Sequence, residues 1–202
     1  MRAKVEYKKS EGSRKQVVDA AIKTFAKNGF ADTSVSDIAA SAKMSKGVVH
    51  YHFENKDDLI AHVLEECCSR ISHRGHAAWE IPGTPTEKIR RALREMWAAR
   101  TDGSPETRVL TELMAQGIHD AKIRKPLSAM FHATHEALIT EFVEAFASIG
   151  LKPKIAPHVI PRLVMATLDG LGMHHFFDPP TPDEEKEIFR ALELIAFALF
   201  EL

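Results

Sequence analysis

The sequence predicts an all-α protein: an N-terminal three-helix module followed by a longer helical C-terminal part, about nine helices in all. Three observations carry that expectation. Strand-type alternation is nearly absent, and apolar residues recur at helical spacing from one end of the chain to the other. N-capping residues stand in front of the periodic runs. Charge is unevenly divided: residues 1–56 carry 11 Lys+Arg against 6 Asp+Glu, while residues 57–202 carry 16 against 22, within a whole-chain net charge of −1. A basic module next to an acidic one suggests that the first meets a polyanion and the second does not.

The elements follow in order. Ser13, Arg14, Lys15 and Gln16 have capping-box spacing, and Val17, Val18, Ala21, Ile22 and Phe25 then line one helix face. A first helix is therefore expected over about residues 13–28, closed by Asn28 and Gly29, which tolerate the left-handed cap conformation. Residues 1–12 are left as a basic arm, with Arg2 to Lys9 a disordered tail adding nonspecific attraction. Ser34 and Asp37 start a second helix over about 35–42 with Ile38, Ala39 and Ala42 facing inward, and Ser45 caps a third over about 46–52. Asn55 caps a fourth that runs to about residues 72–75 and is shared by both parts of the chain. Thr84 with Pro85, and Ser104 with Pro105, open the fifth and sixth helices, each proline in the first turn where its missing N–H costs nothing. A seventh spans about 123–148 and stops at Gly150. An eighth covers about 157–177, tightened or kinked near its start by Pro161. The run from Asp178 to Pro182 breaks it, and Thr181 opens a last helix to the C-terminus. The domain expectation is a basic arm at 1–12, a basic domain of three short helices at 13–56 and an acidic helical domain at 57–202.

Composition removes several classes. No run of 18 apolar residues exists and the charged N-terminus lacks a secretory core, so no membrane partner and a cytoplasmic location are expected. Cys67 and Cys68 are neighbours on one helix and point in different directions, which suits two thiols rather than a disulfide. No nucleophile elbow, Walker loop or dinucleotide fingerprint is present, so neither enzyme nor cofactor is expected. His73/His76, His132/His135 and His174-His175 lack acidic or cysteine ligands in a fixed pattern, so no metal is expected either. The competing readings are a metal-dependent enzyme built on those histidines and a helical protein-interaction module without a DNA role.

The informative stretch is Met44-Ser-Lys-Gly-Val-Val-His-Tyr-His-Phe53. The second helix, the turn Lys43-Met44-Ser45 and the third helix have the proportions of a helix-turn-helix, whose second helix enters the DNA major groove. Ser45 caps that helix and offers a hydroxyl to a phosphate. Lys46 sits among exposed amides at the positive dipole end, a poor place for a cation unless phosphates or a guanine edge lie opposite. Gly47 lets the backbone come close to DNA, and Val48 suits a thymine methyl group. Val49 packs inward with Ile38 and Phe53. His50, Tyr51 and His52 offer donors to phosphate oxygens, and Lys56 is a further phosphate candidate.

From near Arg14 to Leu64, including Phe25, Gly29-Phe30, "TSVSDIA", "SKG", "YHF" and "NKDDL", the sequence resembles the TetR family of bacterial transcriptional repressors. The resemblance implies a homodimer, about nine helices, a recognition helix at 45–51, and phosphate contacts by Ser34, Lys46, Tyr51, His52 and Lys56. Three positions depart from the family pattern. Lys43 stands where glycine is common in the turn, His50 where many relatives have tyrosine, and Val48 where threonine or another polar residue is usual.

In such regulators the acidic remainder binds an effector and dimerises. Val164 to Phe177 ("VMATLDGLGMHHFF") is similar to the penultimate helix of BetI-like regulators, and no ligand is carried over from that likeness. Ala166, Gly170 and Gly172 allow close helix approach, and the last helix is apolar nearly all round from Leu192 to Phe200, so the last two helices are expected to form the dimer surface as half of a four-helix bundle. An effector pocket among the fourth to eighth helices would be lined by Trp97, Met114, Phe131, Met165 and Met173, with His132, His135, Asp169 and His174 as polar handles. Methionine mixed with aromatics suits an apolar or amphipathic small molecule.

Overall fold

In the computed structural model, which describes residues 2–148 and 150–201, with side chains from residue 10 onward save those of 85 and 141–145, helix follows helix in the expected order. Among the described residues nine α-helices occur: α1 (Arg2–Asn28), α2 (Val35–Ser41), α3 (Lys46–His52), α4 (Lys56–Glu80), α5 (Pro85–Thr101), α6 (Pro105–Gly117), α7 (Ala121–Ala147), α8 (Val159–Phe177) and α9 (Pro182–Ala198). The fold is all-α, as the periodicity predicts. One short addition escaped it: β1 (Lys152–Pro153) pairs antiparallel with β2 (Phe200–Glu201), two residues each, too short to leave an alternation signal.

The capping reading holds at six helix starts, among them Asn55, whose side-chain oxygen accepts from Asp58 N–H at 3.0 Å at the head of α4. Ser34, Thr84 and Thr181 each accept from the backbone three residues on, while Asp37, Glu87 and Glu184 reach back to complete the box. Ser45 and Ser104 cap α3 and α6 through Val48 and Thr107. Gly29, Gly103 and Gly150 follow α1, α5 and α7 with φ of 86°, 65° and 79°, the left-handed stops glycine favours.

The start of the first helix differs. α1 begins at Arg2, not near residue 13, so the expected arm continues the helix; the side chains of Arg2 to Lys9 lie outside those described. Ser13 is no N-cap. Its hydroxyl donates to the Ser10 carbonyl within the helix at 2.9 Å. Gln16 does not reach back either, but donates across to the Ala42 carbonyl at the end of α2, 2.9 Å away. The spacing matched a capping box while the side chains serve tertiary partners.

Two compact units divide the chain. The first comprises residues 1–70 and 104–130, so α6 and the start of α7 pack with the three short N-terminal helices and the first part of α4. Its core holds Val17, Ile22, Phe25, Ile38, Leu64 and Leu113. Phe25 meets Phe30 edge-on at 5.2 Å, and Arg70 ties α1, α4 and α6 together by pairing with Asp19, Glu66 and Glu106. The second unit comprises 71–103 and 131–202. Its core is built on Ile89, Trp97, Phe146, Ile160, Leu168 and Leu192, with Phe146 stacked on Phe200 at 3.6 Å. At Gly172 an added Cβ would lie 2.8 Å from Arg100 Cβ, so glycine there is what brings α8 against α5. Cys67 and Cys68 are not joined in a disulfide; Cys67 is buried, and that burial pushes its thiol pKa up. No described helix is long and apolar enough to cross a membrane.

Candidate functional site

α2 and α3, seven residues each, form the helix-turn-helix. The turn closes by a recognisable device. Lys43 N–H donates to Ala40 O at 3.1 Å and Met44 N–H to Ala39 O at 2.9 Å, the paired bonds of a Schellman motif. The left-handed residue in that motif is Lys43, with φ 55°. It is the one described non-glycine residue with positive φ, at the position where the family pattern favours glycine. Lys43 is exposed, so its stem repays little of the strain. Lys43→Gly is therefore expected to stabilise the protein by about 0.5–1 kcal/mol, the left-handed penalty less the backbone entropy of glycine. Chemical denaturation measures it; a fall in the midpoint would show that the lysine stem packs usefully.

α3 has two faces. Val49 is buried, as are Ile38 on α2 and Phe53 just past the helix end, which anchors the inner face. Lys46, Gly47, His50 and Tyr51 are exposed together at i, i+1, i+4 and i+5. Tyr51 is 77% exposed, and its hydroxyl has no hydrogen-bond partner among the described residues. Ser34 and Ser45, each at the N-cap of its helix, are exposed as well, and Val48 is half-buried at the rim. Gly47 has no internal reason to be glycine. An added Cβ would meet only Ser45 Oγ at 3.7 Å, and its φ is not positive.

Two of the residues expected at phosphates are committed inside the fold. His52 Nε2 lies 2.6 Å from Ser13 Oγ, and burial followed by the nearby Arg14 guanidinium holds its pKa below the usual histidine range. Lys56 Nζ donates to Phe30 O at 2.5 Å and Thr33 O at 3.0 Å, and sits 4.0 Å over the Phe30 ring. Burial outweighs the carboxylates of Asp57, Glu112 and Asp32, so the pKa of this amine is also lowered. The Phe30 N–H is held in turn by Glu112 Oε1 of α6 at 2.6 Å. Lys56 and Glu112 thus grip both backbone groups of Phe30, in the turn that delivers Ser34 to the start of α2.

In the second unit α5 and α8 bring several expected effector residues near one another. Arg100 donates from Nε to Asp169 Oδ1 at 2.7 Å and from Nη2 to Met165 Sδ at 3.2 Å. Trp97 is buried, and its indole N–H donates to Glu185 Oε1 at 2.7 Å. Its ring meets those of His175 and Phe189 edge-on at 5.9 and 6.0 Å. Phe131 and His135 pair on α7 at 6.2 Å, while Met173 and His174 are exposed on α8. Met114 packs on the core of the first unit instead. Sequence reasoning missed Arg100, His175, Glu185 and Phe189. The need was legible, since a buried indole requires an acceptor, but not which carboxylate answers it. His175 Nδ1 is the buried side-chain polar atom without a hydrogen-bond partner among the described residues.

An exposed basic recognition face on a seven-residue helix, set by a capped turn onto an all-α scaffold, defines a helix-turn-helix DNA-binding regulator. Residues 17–63 match the family described as bacterial regulatory proteins, tetR family, and residues 85–196 match the family described as BetI-type transcriptional repressor, C-terminal. The chain belongs to the TetR family of transcriptional regulators, with the C-terminal domain of the BetI-type repressors.

Its relatives agree. The transcriptional regulator BetI of Brucella canis is 24% identical over 186 residues, covering 92% of this chain and 91% of that protein. BetI of Burkholderia lata is 26% identical over 168 residues, 79% and 80% of the two chains. Among solved structures, a TetR-family regulator from Rhodococcus sp. superimposes with a TM-score of 0.75 at 18% identity, covering 92% of this chain and 98% of its own. A regulator from Saccharomonospora viridis in complex with choline gives 0.73 at 17% identity, covering 95% and 100%.

Proposed function

We propose that the protein is a homodimeric repressor that grips a pseudo-palindromic operator through α3 and is released by a small amphipathic effector. Gly47 is the observation that carries the DNA contact. A glycine in an exposed helix costs about 1 kcal/mol relative to alanine, and no neighbour in this chain needs the space. The requirement therefore comes from outside, where a Cβ would hold the backbone off the duplex. Around it, Ser34, Ser45, Lys46, His50 and Tyr51 face phosphates and base edges, and Val48 meets an apolar base edge. His52 and Lys56 serve the same interface from behind. The domain roles follow: residues 13–56 read DNA, and 57–202 bind effector and dimerise.

The dimer forms through α8 and α9, whose exposed apolar residues Leu163, Phe176, Phe177, Leu194 and Ile195 call for a covering surface. The effector lies in the second unit, against Trp97, Phe131, His135, Met165, Asp169, Met173 and His174, where the unpaired His175 Nδ1 awaits a donor or acceptor. The choline complex of a structural neighbour supports a small amphipathic ligand. Its binding would weaken operator affinity by a coupling energy of about 1–3 kcal/mol.

Selection from random-sequence duplexes tests the reading. Enrichment of two inverted half-sites about one DNA turn apart is expected, matching recognition helices about 34–36 Å apart. Recovery of no palindromic enrichment would favour a helical protein-interaction module instead.

A further inference from the structure

We propose that Ser13 and Gln16 form a two-pronged brace on α1 that sets the recognition helix, and that His52 is a positioning residue for Tyr51 and not a phosphate ligand. The inference rests on α3 being the DNA-reading helix.

The hydrogen-bond inventory assigns the proton. The Ser13 hydroxyl has one hydrogen, and it is donated to Ser10 O at 2.9 Å. The 2.6 Å contact with His52 Nε2 must then be donated by the imidazole. Neutral His52 therefore carries its proton on Nε2 and a lone pair on Nδ1. Its one N–H is taken by Ser13, and the remaining nitrogen is an acceptor, which a phosphate oxygen repels. Burial and the Arg14 guanidinium keep the ring neutral. To donate to a phosphate, His52 would have to leave Ser13.

What the ring does instead follows from its neighbours. Tyr51 lies edge-on to it at 4.9 Å and 78°, so fixing His52 braces the exposed phenol. Next along α1, Arg14 sits 5.6 Å over the Phe53 ring and donates to His62 Nε2 of α4 at 2.5 Å, and Phe53 and His62 are 5.5 Å apart. Two residues beyond Arg14, Gln16 holds Ala42 O at the end of α2. Ser13 and Gln16 stand three residues apart on one face of α1. One fastens the C-terminal end of α3, the other the C-terminal end of α2, and together they set the angle between the two helices.

The test uses the full chain and a duplex recovered by the selection above, with affinities measured by fluorescence anisotropy. Ser13→Ala and His52→Ala are each expected to weaken binding about tenfold, and the double variant to be no weaker than either single one. His52→Gln, whose Nε2 stands where the imidazole Nε2 was, should retain most of the parent affinity, which mere loss of packing would not allow. Thermal midpoints confirm that each variant is folded at the assay temperature. Parent-like binding by Ser13→Ala, or additive losses in the double variant, would overturn the brace. If the parent protein recovers no duplex, it is the DNA reading that fails.

Discussion

The double variant Lys46→Ala/Tyr51→Phe is expected to bind its operator about a hundredfold more weakly than the parent while remaining a folded dimer. Each change removes one charge-assisted hydrogen bond to DNA, a loss of about 1.5 kcal/mol or roughly tenfold apiece. The two act independently if each meets its own phosphate. Folding is spared because Lys46 is exposed and Tyr51 is 77% exposed, with its hydroxyl unpaired within the described chain. The pair also separates by salt. Removing the lysine charge should lower the slope of log affinity against log salt by about one, whereas removing a neutral hydroxyl should leave it unchanged. Anisotropy titrations at several salt concentrations read both quantities. Unchanged affinity in both single variants would mean that this face of α3 does not meet DNA.

Replacing Leu194 with glutamate should abolish the dimer. Leu194 is 65% exposed in the single chain and Ile195 47%, so a carboxylate at 194 costs the fold little. In a two-fold interface the same patch meets itself, so one substitution buries two charges near one another without partners. A penalty of several kcal/mol follows, on the order of 3–5 kcal/mol for each unpaired buried charge. A monomer grips only one half-site, and operator affinity should fall about a thousandfold or more, as the second contact ceases to be intramolecular. Sedimentation velocity reads the mass and circular dichroism the helix content. A folded Leu194→Glu protein that stays dimeric and binds as before would move the interface away from α9.

These two outcomes test the ends of one mechanism. In the proposed mechanism Lys46 and Tyr51 lie where DNA is read, and Leu194 where two readers are joined. In that proposal an effector acts by changing what the second imposes on the first, so neither variant needs its identity.

The legible part of the molecule is local. Ser34 with Asp37, Thr84 with Glu87 and Thr181 with Glu184 close their boxes as spacing predicts, because each partner stands three residues away on the same nascent turn. The stops at Gly29 and Gly150 follow from backbone sterics at single residues. The strained turn was visible in the lysine at 43, and the two faces of α3 in the alternation of Val49 and Phe53 with Lys46, His50 and Tyr51. Sequence by itself thus determined the order of the helices, most of their ends and the family, but not the start of α1 at Arg2 or the run of α4 past residues 72–75 to Glu80.

Tertiary structure alone decided the partners. Ser13 and Gln16 satisfy a capping pattern in sequence, yet bond to His52 and Ala42, 39 and 26 residues away. Lys56 reads as a phosphate ligand but holds the turn at Phe30 to Thr33. Glu112 reaches the Phe30 amide across 82 residues, and Trp97 finds Glu185 across 88. α6, counted by sequence with the effector part, packs into the unit that carries the DNA-reading helices. The physical reason is range. A cap or a stop is set by atoms within about one helical turn, and so is written in adjacent letters. Which distant donor meets which acceptor depends on how buried faces pack and at what angle helices cross.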